Sequence, residues 1–335
     1  MVTIKTIAQI AGVSHTTVSR ALNDSPLLRA ETKTKIQALA KEMGYVPNLS
    51  ARGLARETPN TIGLFFSSLG FGTTGDFIQT SIEALNSVIG KQYHITIHTL
   101  DAIGSGAMLS PSNYDGVVIV SMDQHDDFYI RKVMESGIPC AVVNRDLEQE
   151  FLDGGILSVR CQEKEGVYQA VQQMAALGHT QIGYIRGLQS SVADQRRWAG
   201  FCQAMEDCGL PVQSQFVCAG DFGVASGYAA AKQLASLDTL PTLVFCASDA
   251  MAFGALRLFH EKGISVPETI SVVGFDNCVH AMFSVPGLSS IERPIARMVQ
   301  QAGALLLQTM QGEIPPQQDV RFATRFFHRE SVRAL

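Results

Sequence analysis

Residues 3–22 read TIKTIAQIAGVSHTTVSRAL, and this stretch decides the fold of the N-terminal segment. Thr3 can cap a first helix that ends before Gly12, because a threonine side chain accepts a hydrogen bond from the first helical turn. Gly12 supplies a tight turn, and Ser14 can cap a second helix over residues 15–22. The sequence therefore predicts two short helices joined by a turn, the helix-turn-helix arrangement.

A third helix is predicted over about residues 30–43, ending at Gly44. Apolar residues of the second and third helices recur at helical spacing and can face one another. They are Val18, Ala21, Leu22, Ile36, Leu39, Ala40 and Met43. Three short helices can close a small core in this way, which leaves the outer face of the second helix free. We therefore expect an all-α domain over residues 1–47.

The free face of the second helix carries side chains that can read DNA. His15, Thr16 and Arg20 stand on this face, and residues of these types reach base edges in a major groove, arginine most specifically through guanine. Thr17 and Ser19 are placed to meet phosphates. The alternative for each is an ordinary solvated surface. We expect base contact because the residues lie on the second helix of the turn.

Residues 48–60 are predicted to form a hinge. Residues 48–56 span about two helical turns with Gly53 inside and Pro59 beyond, and so short a helix is marginal in water. We expect it to fold only when DNA and a partner copy supply packing. Leu54 has no obvious core to enter, which suits an apolar wedge between base steps of the minor groove. The alternative is a loop leucine that rests on the next domain.

Charge is divided unevenly along the chain of 335 residues. Residues 1–58 hold eight lysines and arginines against four acidic residues, so this segment has a net charge of +4. Because the whole chain carries −5, the remainder carries −9. A basic head on an acidic body suits a protein that touches phosphates with one end only.

From residue 60 onward, short apolar runs alternate with amphipathic helical patterns. Strands are predicted near 62–67, 94–100, 116–121, 138–143, 156–160, 181–186, 215–219, 242–247, 271–275 and 288–291. Helices are predicted near 76–89, 126–136, 163–177, 191–208, 224–237, 249–262 and 294–310. Alternation of this kind is typical of parallel sheets with helices on both faces. Because these strands are too many for one sheet, we expect two doubly wound parallel sheets in two lobes, with a ligand in the cleft between them.

Four stretches carry a resemblance to a known family: IAQIAGVS at 7–14, TVSRALN at 17–23, GYVPN at 44–48 and ARGL at 51–54. They resemble the headpiece and hinge of LacI/GalR-family bacterial transcriptional regulators, and the body looks like the periplasmic-binding-protein-like core of that family. The resemblance implies a homodimer that reads a pseudo-palindromic operator in double-stranded DNA, with Leu54 inserted in the minor groove. The residues that we expect to contact DNA are Thr3, Ser14, His15, Thr16, Thr17, Ser19, Arg20, Asn23, Ala51, Arg52 and Leu54.

The resemblance also implies the domain plan. The expected parts are a DNA-binding domain at 1–47, a hinge at 48–60, and an effector-binding and dimerisation core at 61–335. Within the core, lobe 1 is expected at about 61–159 and 293–320, and lobe 2 at about 160–291 and 321–335. The chain would then cross between lobes near 158–162, 291–294 and 318–322.

Several positions match motifs to which the family assigns effector contacts. The resemblance implies that Arg197 donates two hydrogen bonds to ligand hydroxyls or to a carboxylate, and that Asp276 accepts hydrogen bonds from hydroxyls. It implies that Phe222 lies against the flat face of a sugar. The other candidates end strands that face the same gap: Ser67, Ser68, Asn144, Arg145, Ser248 and Asp249. Many relatives carry Asn where Ser248 stands. The alternative for each is an ordinary strand-end or capping residue.

A competing interpretation comes from the glycines at 70, 72 and 75, which form GxGxxG between a strand and a helix, with Asp101 after the next strand. This is the layout of a dinucleotide-binding fingerprint and would indicate an NAD-binding, redox-responsive regulator or a dehydrogenase. Two features count against it. Gly70 falls beyond the end of its strand, and Asp101 lies 26 residues past Gly75, where about 20 are expected.

The sequence also favours a protein that is not an enzyme. GxSxG, HExxH and P-loop patterns do not occur in it, and its eight histidines are scattered. Its seven cysteines stand singly, mostly among apolar neighbours, which favours reduced buried thiols over disulfides or a metal site. We expect no cofactor. Because no leader or transmembrane pattern is found, we expect a cytoplasmic protein associated with the nucleoid, not a secreted sugar-binding protein.

The function expected from these features is a repressor of carbohydrate-utilisation genes, controlled allosterically by a small polar molecule, a sugar. Two further expectations concern the core. The stretch 101–115 is shorter than in relatives, so we expect a helix to be missing and one sheet face to be thinly covered. Residues 322–335 show no extended heptads, so we expect dimers, not tetramers, with Arg325 and Arg329 solvated.

Overall fold

The computed structural model describes residues 3–22, 28–43, 45, 59–69, 75–105 and 109–335. The chain divides into two units, one before residue 58 and one from residue 58 onward. The predicted hinge helix at 48–56 lies outside the described residues. So do the predicted DNA-contacting residues Asn23, Ala51, Arg52 and Leu54, and the glycines at 70 and 72.

The N-terminal unit contains helices α1 (Ile4–Ala11), α2 (His15–Leu22) and α3 (Ala30–Glu42). The Thr3 Oγ1 accepts a hydrogen bond from the Thr6 amide at 3.2 Å, and the Ser14 Oγ accepts one from the Thr17 amide at 3.1 Å, so both predicted caps are present. Gly12 turns the chain with a φ of 65°, a value that costs glycine little. The small core consists of Ile7, Ala8, Val18, Ala21, Ile36 and Ala40. The predicted helical headpiece is confirmed.

The second unit alternates strands and helices. Its first half contains β1 (Thr61–Phe66), α4 (Gly75–Ile89), β2 (His94–Thr99), β3 (Gly116–Val120), α5 (Asp127–Ser136), β4 (Cys140–Val143), α6 (Gln149–Asp153) and β5 (Leu157–Cys161). Its middle contains α7 (Glu163–Ala176), β6 (Ile182–Ile185), α8 (Val192–Asp207), β7 (Val217–Cys218), α9 (Val224–Leu234), β8 (Leu243–Cys246), α10 (Asp249–Glu261) and β9 (Ser271–Asp276). Its last part contains α11 (Val279–Phe283), β10 (Ser289–Glu292), α12 (Ile295–Met310), β11 (Asp319–Phe322) and β12 (Arg325–Phe327).

These strands form two six-stranded sheets, which confirms the prediction of two α/β lobes. The first sheet has the order β11-β5-β4-β3-β1-β2 and is parallel throughout. The second has the order β12-β10-β9-β8-β6-β7, and β12 pairs antiparallel with β10. β12, which the sequence did not predict, departs from the parallel pairing of the other described strands. The chain passes from Phe322 to Arg325 in a short link, so no crossover helix precedes β12. Parallel neighbours need a crossover connection, and a strand without one can pair antiparallel.

The chain passes between the sheets three times. It leaves the first sheet after Cys161, returns after Glu292 into α12, and leaves again after Phe322. The last passage lies a few residues beyond the boundary near residue 320 expected from the sequence. Cys161 pairs with Phe322 and Glu292 pairs with Arg325, so the three links are neighbours between the sheets.

The short segment after β2 does not leave a sheet face bare. A 3-10 helix at Leu100–Ser105 follows β2, and its Leu100 and Ile103 pack with Tyr114 against β3 and α5. The Lys132 Nζ of α5 donates to the Gly104 carbonyl at 3.2 Å. The expected thin cover is therefore wrong, because two apolar side chains of one 3-10 turn fill the space.

The C-terminal segment is anchored to lobe 2 through a buried histidine. His179 is fully buried, and its Nε2 lies 2.9 Å from the Arg333 carbonyl oxygen, so this nitrogen donates. Its Nδ1 lies 3.0 Å from the Thr242 Oγ1. Burial lowers the pKa of His179 below its ordinary value of 6.5, because a charged imidazolium loses its hydration there.

This histidine predicts acid-dependent stability. The lowered pKa means that the folded state prefers neutral His179, so its stabilising contribution is complete above pH 6.5 and is lost as the pH falls through the folded-state pKa. In urea denaturation between pH 8 and 5, His179→Gln should flatten the fall in the free energy of unfolding. An identical fall in both proteins would show that His179 is not responsible.

Candidate functional site

The exposed face of α2 carries the side chains predicted to read bases. His15, Thr16 and Arg20 are exposed, and Thr17 and Ser19 are half-buried on the same helix. Val18 and Ala21 face the core and fix the rotation of the helix. Thr3 and Ser14 lie at the exposed N-terminal caps of α1 and α2, where their hydroxyls serve the caps. A short helix held in this way presents one polar face that a major groove can admit.

A cleft between the lobes forms the second candidate site. Its floor is a cavity of about 20 Å³, lined by Phe77, Met122, Ala193, Arg197, Phe222, Ser248, Asp276 and Arg293. Its outer part is a cavity of about 540 Å³, bordered by the starts of α4 and α10, by the loop between β9 and α11, and by residues 292–297. Phe77, Asp276 and Arg293 line both parts, so the two are adjacent. The outer cavity has the size of a small-molecule site.

Arg197 anchors the floor from α8. Its Nη2 donates to the Glu163 Oε1 at 2.7 Å, and its guanidinium carbon lies 3.8 Å from the centre of the Phe275 ring and 5.5 Å from that of Phe222. Burial opposes the charge, but the carboxylates of Glu163 and Asp276 outweigh it and raise the pKa of Arg197. The Arg197 Nε and the Glu163 Oε2 are buried without a hydrogen-bond partner. Both atoms therefore keep hydrogen-bonding capacity that no described protein group uses.

Asp276 faces Arg293 across the floor. The Arg293 Nη2 lies 2.7 Å from the Asp276 Oδ1, yet this oxygen has no well-directed hydrogen bond and keeps accepting capacity. Arg293 also stacks over the Phe77 ring at 4.6 Å, and its Nη1 lies 3.4 Å from the Asn144 Oδ1. One arginine thus links Phe77 and Asn144 of lobe 1 to Asp276 of lobe 2.

Two of the sequence-predicted residues support the floor from α10. The Ser248 Oγ caps α10 at the Met251 amide and donates to the Phe222 carbonyl, at 3.2 and 3.0 Å. The Asp249 carboxylate accepts from the Ser290 Oγ at 2.5 Å and from the Cys278 amide at 2.8 Å. Burial and the nearby Asp276 raise the pKa of Asp249 to about 7. Ser248 lines the floor and Asp249 lines the outer cavity.

The structure does not bring three of the lobe 1 candidates to the cavity. The Ser67 Oγ accepts from the Met122 amide at 2.8 Å and donates to Asp126. The Arg145 guanidinium donates to the Asp123 carbonyl and pairs with Asp127. Ser67 and Arg145 thus fix the turn before α5, while Ser68 is half-buried beyond β1, and none of the three lines either part of the cleft. Asn144 reaches the cleft only through Arg293.

An ionic link that the sequence did not reveal joins the two lobes. Asp146, two residues past Asn144, pairs with Arg160 at the end of β5 and with Arg196 of α8 in lobe 2. Arg160 also forms a bidentate pair with Asp319 of β11, both distances being 3.1 Å. Hydrogen bonds from Arg160 and Arg321 outweigh burial and lower the pKa of Asp319 to about 2. The link lies beside two of the three passages between the lobes.

Sequence reasoning missed Glu163 and Arg293 as well. Glu163 follows the first passage between lobes, and Arg293 lies in the second. Each is a charged residue beside an expected crossing between lobes, and this position could have marked it as a candidate for the site. Within the described ranges, no group of three or more histidine, cysteine or acidic side chains is arranged to hold a metal. No described helix has the length and apolar character needed to span a bilayer.

A helix-turn-helix head and a two-lobed cleft with a polar floor define a class of protein: DNA-binding regulators with a ligand-binding core. The comparisons identify the family. Residues 3–48 match the model for bacterial regulatory proteins of the lacI family, and residues 171–332 match that for a periplasmic binding protein-like domain. A curated relative, "Probable HTH-type transcriptional repressor ExuR" of Bacillus subtilis (strain 168), is 36% identical over 335 residues, which are 100% of this chain and 99% of the relative. The chain belongs to the lacI family of bacterial regulatory proteins.

Other relatives agree with this assignment. The HTH-type transcriptional repressor PurR of Pectobacterium carotovorum is 33% identical over 314 residues, or 92% of this chain and 90% of the relative. The lac repressor dimer bound to operator and the anti-inducer ONPF superposes with a TM-score of 0.81 and 25% identity over 99% of both chains. A transcriptional regulator CelR–cellobiose complex gives 0.71 and 27%, covering 99% of this chain and 100% of that one. A LacI-family regulator from Enterococcus faecium with bound ribose gives 0.72 and 26%, covering 82% and 99%.

These findings settle the class of protein. The chain is a transcriptional repressor of the lacI family with an effector-binding domain, and regulators of this family are not enzymes. The dehydrogenase alternative is therefore wrong. Gly75 begins α4, and Asp101 is exposed in the 3-10 helix after β2.

Proposed function

We propose that this repressor controls carbohydrate-utilisation genes from the cytoplasm, binding a pseudo-palindromic operator as a homodimer under the control of a sugar in the cleft. One observation carries the proposal. The floor brings together a guanidinium (Arg197), a carboxylate (Asp276) and an aromatic ring (Phe222). Sugar hydroxyls both donate and accept hydrogen bonds, and the faces of a sugar ring are apolar, so the three groups match the three kinds of surface that a sugar offers.

The unsatisfied atoms of the floor strengthen the case for a polar ligand. The Arg197 Nε of the floor and the Oε2 of its partner Glu163 are buried without a hydrogen-bond partner, and the Asp276 Oδ1 has only its ion pair with Arg293. Leaving a buried polar group unsatisfied costs about 1–3 kcal/mol, and more when it is charged. A ligand with several hydroxyls, or ordered water, would remove that cost. The solved relatives with cellobiose and ribose support a sugar as this ligand.

An exposed apolar patch supports the homodimer. Val279, Met282, Phe283 and Val285 of α11 and the turn after it have exposed fractions of 57, 58, 72 and 95%. A cluster of large apolar side chains on a protein surface marks a contact with another protein. We assign the patch to a second copy of this chain, as the lac repressor solved as a dimer on its operator suggests. Val279 also lines the outer cavity, so the patch adjoins the cleft.

The patch predicts a change in oligomeric state. Phe283→Ser should raise the dimer dissociation constant at least tenfold, because an exposed aromatic anchor carries a large share of the energy of an interface. Sedimentation over a dilution series measures this constant. Phe128→Ser is the matched control, since Phe128 is 58% exposed on α5, outside the patch. Equal effects of the two changes would place the dimer contact elsewhere.

The proposed switch is geometric. Closing the cleft on a sugar changes the angle between the lobes, and in a homodimer this changes the spacing of the two heads. The segment at 48–60 would then favour or lose its helix on DNA. A change of 1–3 kcal/mol in operator affinity is typical of such coupling.

A ligand panel tests the proposal. D-Ribose, D-glucose, D-galactose, cellobiose, D-gluconate and NAD are each added to the full chain, and its melting temperature is measured. A sugar at about 100 times its dissociation constant stabilises the folded state by about 2.7 kcal/mol. We expect at least one sugar to raise the melting temperature of the wild type and not that of Asp276→Asn. A response to NAD alone, or a sugar response unaffected by this variant, would contradict the proposed cleft.

A further inference from the structure

We propose that Arg329, six residues from the C-terminus, is a positioning residue for the effector cleft that holds the loop presenting Asp276 to the floor. The inference rests on the proposed role of Asp276 and adds a residue that does not itself line the cavity. Sequence reasoning expected Arg329 to be solvated. The structure shows instead that it is half-buried and bonded to the loop, so that expectation is wrong.

The loop that follows β9 has an unusual backbone. Asp276 has a φ of 119° and Asn277 a φ of 51°, so two consecutive residues with side chains lie in the region that favours glycine. Conformations of this kind persist only where the surroundings enforce them. Asp276 therefore depends on neighbouring groups to stay opposite Arg293.

Three segments supply those groups. The Asp249 carboxylate accepts from the Cys278 amide at 2.8 Å, and the Ser290 Oγ accepts from the Asn277 amide at 3.0 Å. Both of these contacts hold the backbone. The third contact holds a side chain: the Arg329 Nη2 donates to the Asn277 Oδ1 at 2.6 Å. The Asn277 backbone amide is thus bonded to β10, and the Asn277 side chain is bonded to the C-terminal segment.

Arg329 is itself fixed. Its Nη1 donates to the Leu288 carbonyl at 2.5 Å, its backbone amide donates to the Ser289 Oγ at 2.8 Å, and its guanidinium lies 5.5 Å from the centre of the Phe327 ring. The planar guanidinium spans Leu288 and Asn277 with two different nitrogens. A lysine has one ammonium group on a flexible side chain, so it can replace only part of these two hydrogen bonds.

The position of the C-terminal segment explains why this contact bears on the cleft. β12 pairs antiparallel with β10, with Phe327 opposite Ser290, and so places Arg329 next to the loop. β10 leads directly into Arg293, the ion-pair partner of Asp276. The C-terminal segment therefore contacts both the loop that positions Asp276 and the strand that positions Arg293.

Amide hydrogen exchange on the full chain tests the inference without a ligand. Arg329→Met removes the guanidinium and keeps an apolar stem. We expect the amides of Asn277 and Cys278 to exchange at least tenfold faster, with those of β8 unchanged. Asn277→Ala should give the same increase, the double variant no more than either single one, and Arg329→Lys an intermediate value. Unchanged exchange at the loop, equal acceleration in β8, or additive effects would overturn the proposal.

A second measurement connects the loop to binding. Any sugar of the panel above that raises the melting temperature of the wild type should bind Arg329→Met at least tenfold more weakly, with partial recovery in Arg329→Lys. Undiminished affinity would overturn the positioning role. Failure of every sugar on the wild type would count against the proposed function alone, because the exchange measurement still decides the role of Arg329.

Discussion

Replacing Arg197 with methionine should lower the free energy of unfolding by about 3–5 kcal/mol, because removing one partner leaves a buried charge uncompensated. Glu163, the partner of Arg197, is 1% exposed, and its Oε1 accepts the Arg197 Nη2 at 2.7 Å. Its second oxygen has no partner even in the wild type. Methionine keeps most of the apolar contact with Phe275, so the loss reports mainly on the charge. Urea denaturation at neutral pH measures it.

The matched control neutralises the other partner. Glu163→Gln in the Arg197→Met background should recover much of the lost stability, because the amide is neutral and needs no counter-ion. A double variant as unstable as the single one, or a loss below about 1 kcal/mol in Arg197→Met, would show that the pair is not what holds the floor. The double variant also separates stability from binding, since it should fold and still fail to respond to the sugar.

Replacing Arg20 with alanine should weaken binding to the specific operator by about 1–3 kcal/mol, the value of one good bidentate contact to a base. Arg20 is exposed on α2, on the helix that the core residues Val18 and Ala21 hold in place. Binding to random duplex should weaken less, because that binding depends on phosphates and not on base edges. Titration of both duplexes at fixed salt measures the two affinities.

Lys35→Ala provides the control for charge. The Lys35 side chain is 78% exposed on α3, outside the proposed reading helix, and carries the same charge as Arg20. We expect it to lower specific and random affinities equally, if it lowers them at all. Equal losses on both duplexes for Arg20→Ala would remove Arg20 from base recognition.

Most of the fold could be predicted from local sequence patterns. Caps at Thr3 and Ser14, the turn at Gly12, and the alternation of apolar runs with amphipathic helices all depend on residues close together in sequence. The structure has the predicted helices and strands near their expected places for this reason, whereas the short elements α6, α11 and β11 were not predicted. β12 was not foreseen, because a strand of three residues without a crossover helix has no periodic signal.

The site could be predicted only in part, because strand ends look alike in sequence. Arg197, Phe222 and Asp276 do meet at one cavity, whereas Ser67 and Arg145 stabilise a local turn. Glu163, Arg293 and Asp146 were missed, since their partners lie 34, 17 and 50 residues away in the chain. Contacts between segments so far apart depend on how the helices and sheets pack, which no local pattern records.

The central claim is that occupancy of the cleft in the core changes the affinity of the head for a palindromic operator. Selection from a library of random duplexes by the full chain supplies the test duplex, and its affinity is then titrated with and without a saturating sugar that raises the melting temperature. We predict that pseudo-palindromic duplexes are enriched and that the sugar changes their affinity by about 5–150-fold while barely affecting random duplex. A sugar that stabilises the protein and leaves the preference for the palindrome unchanged would contradict the account.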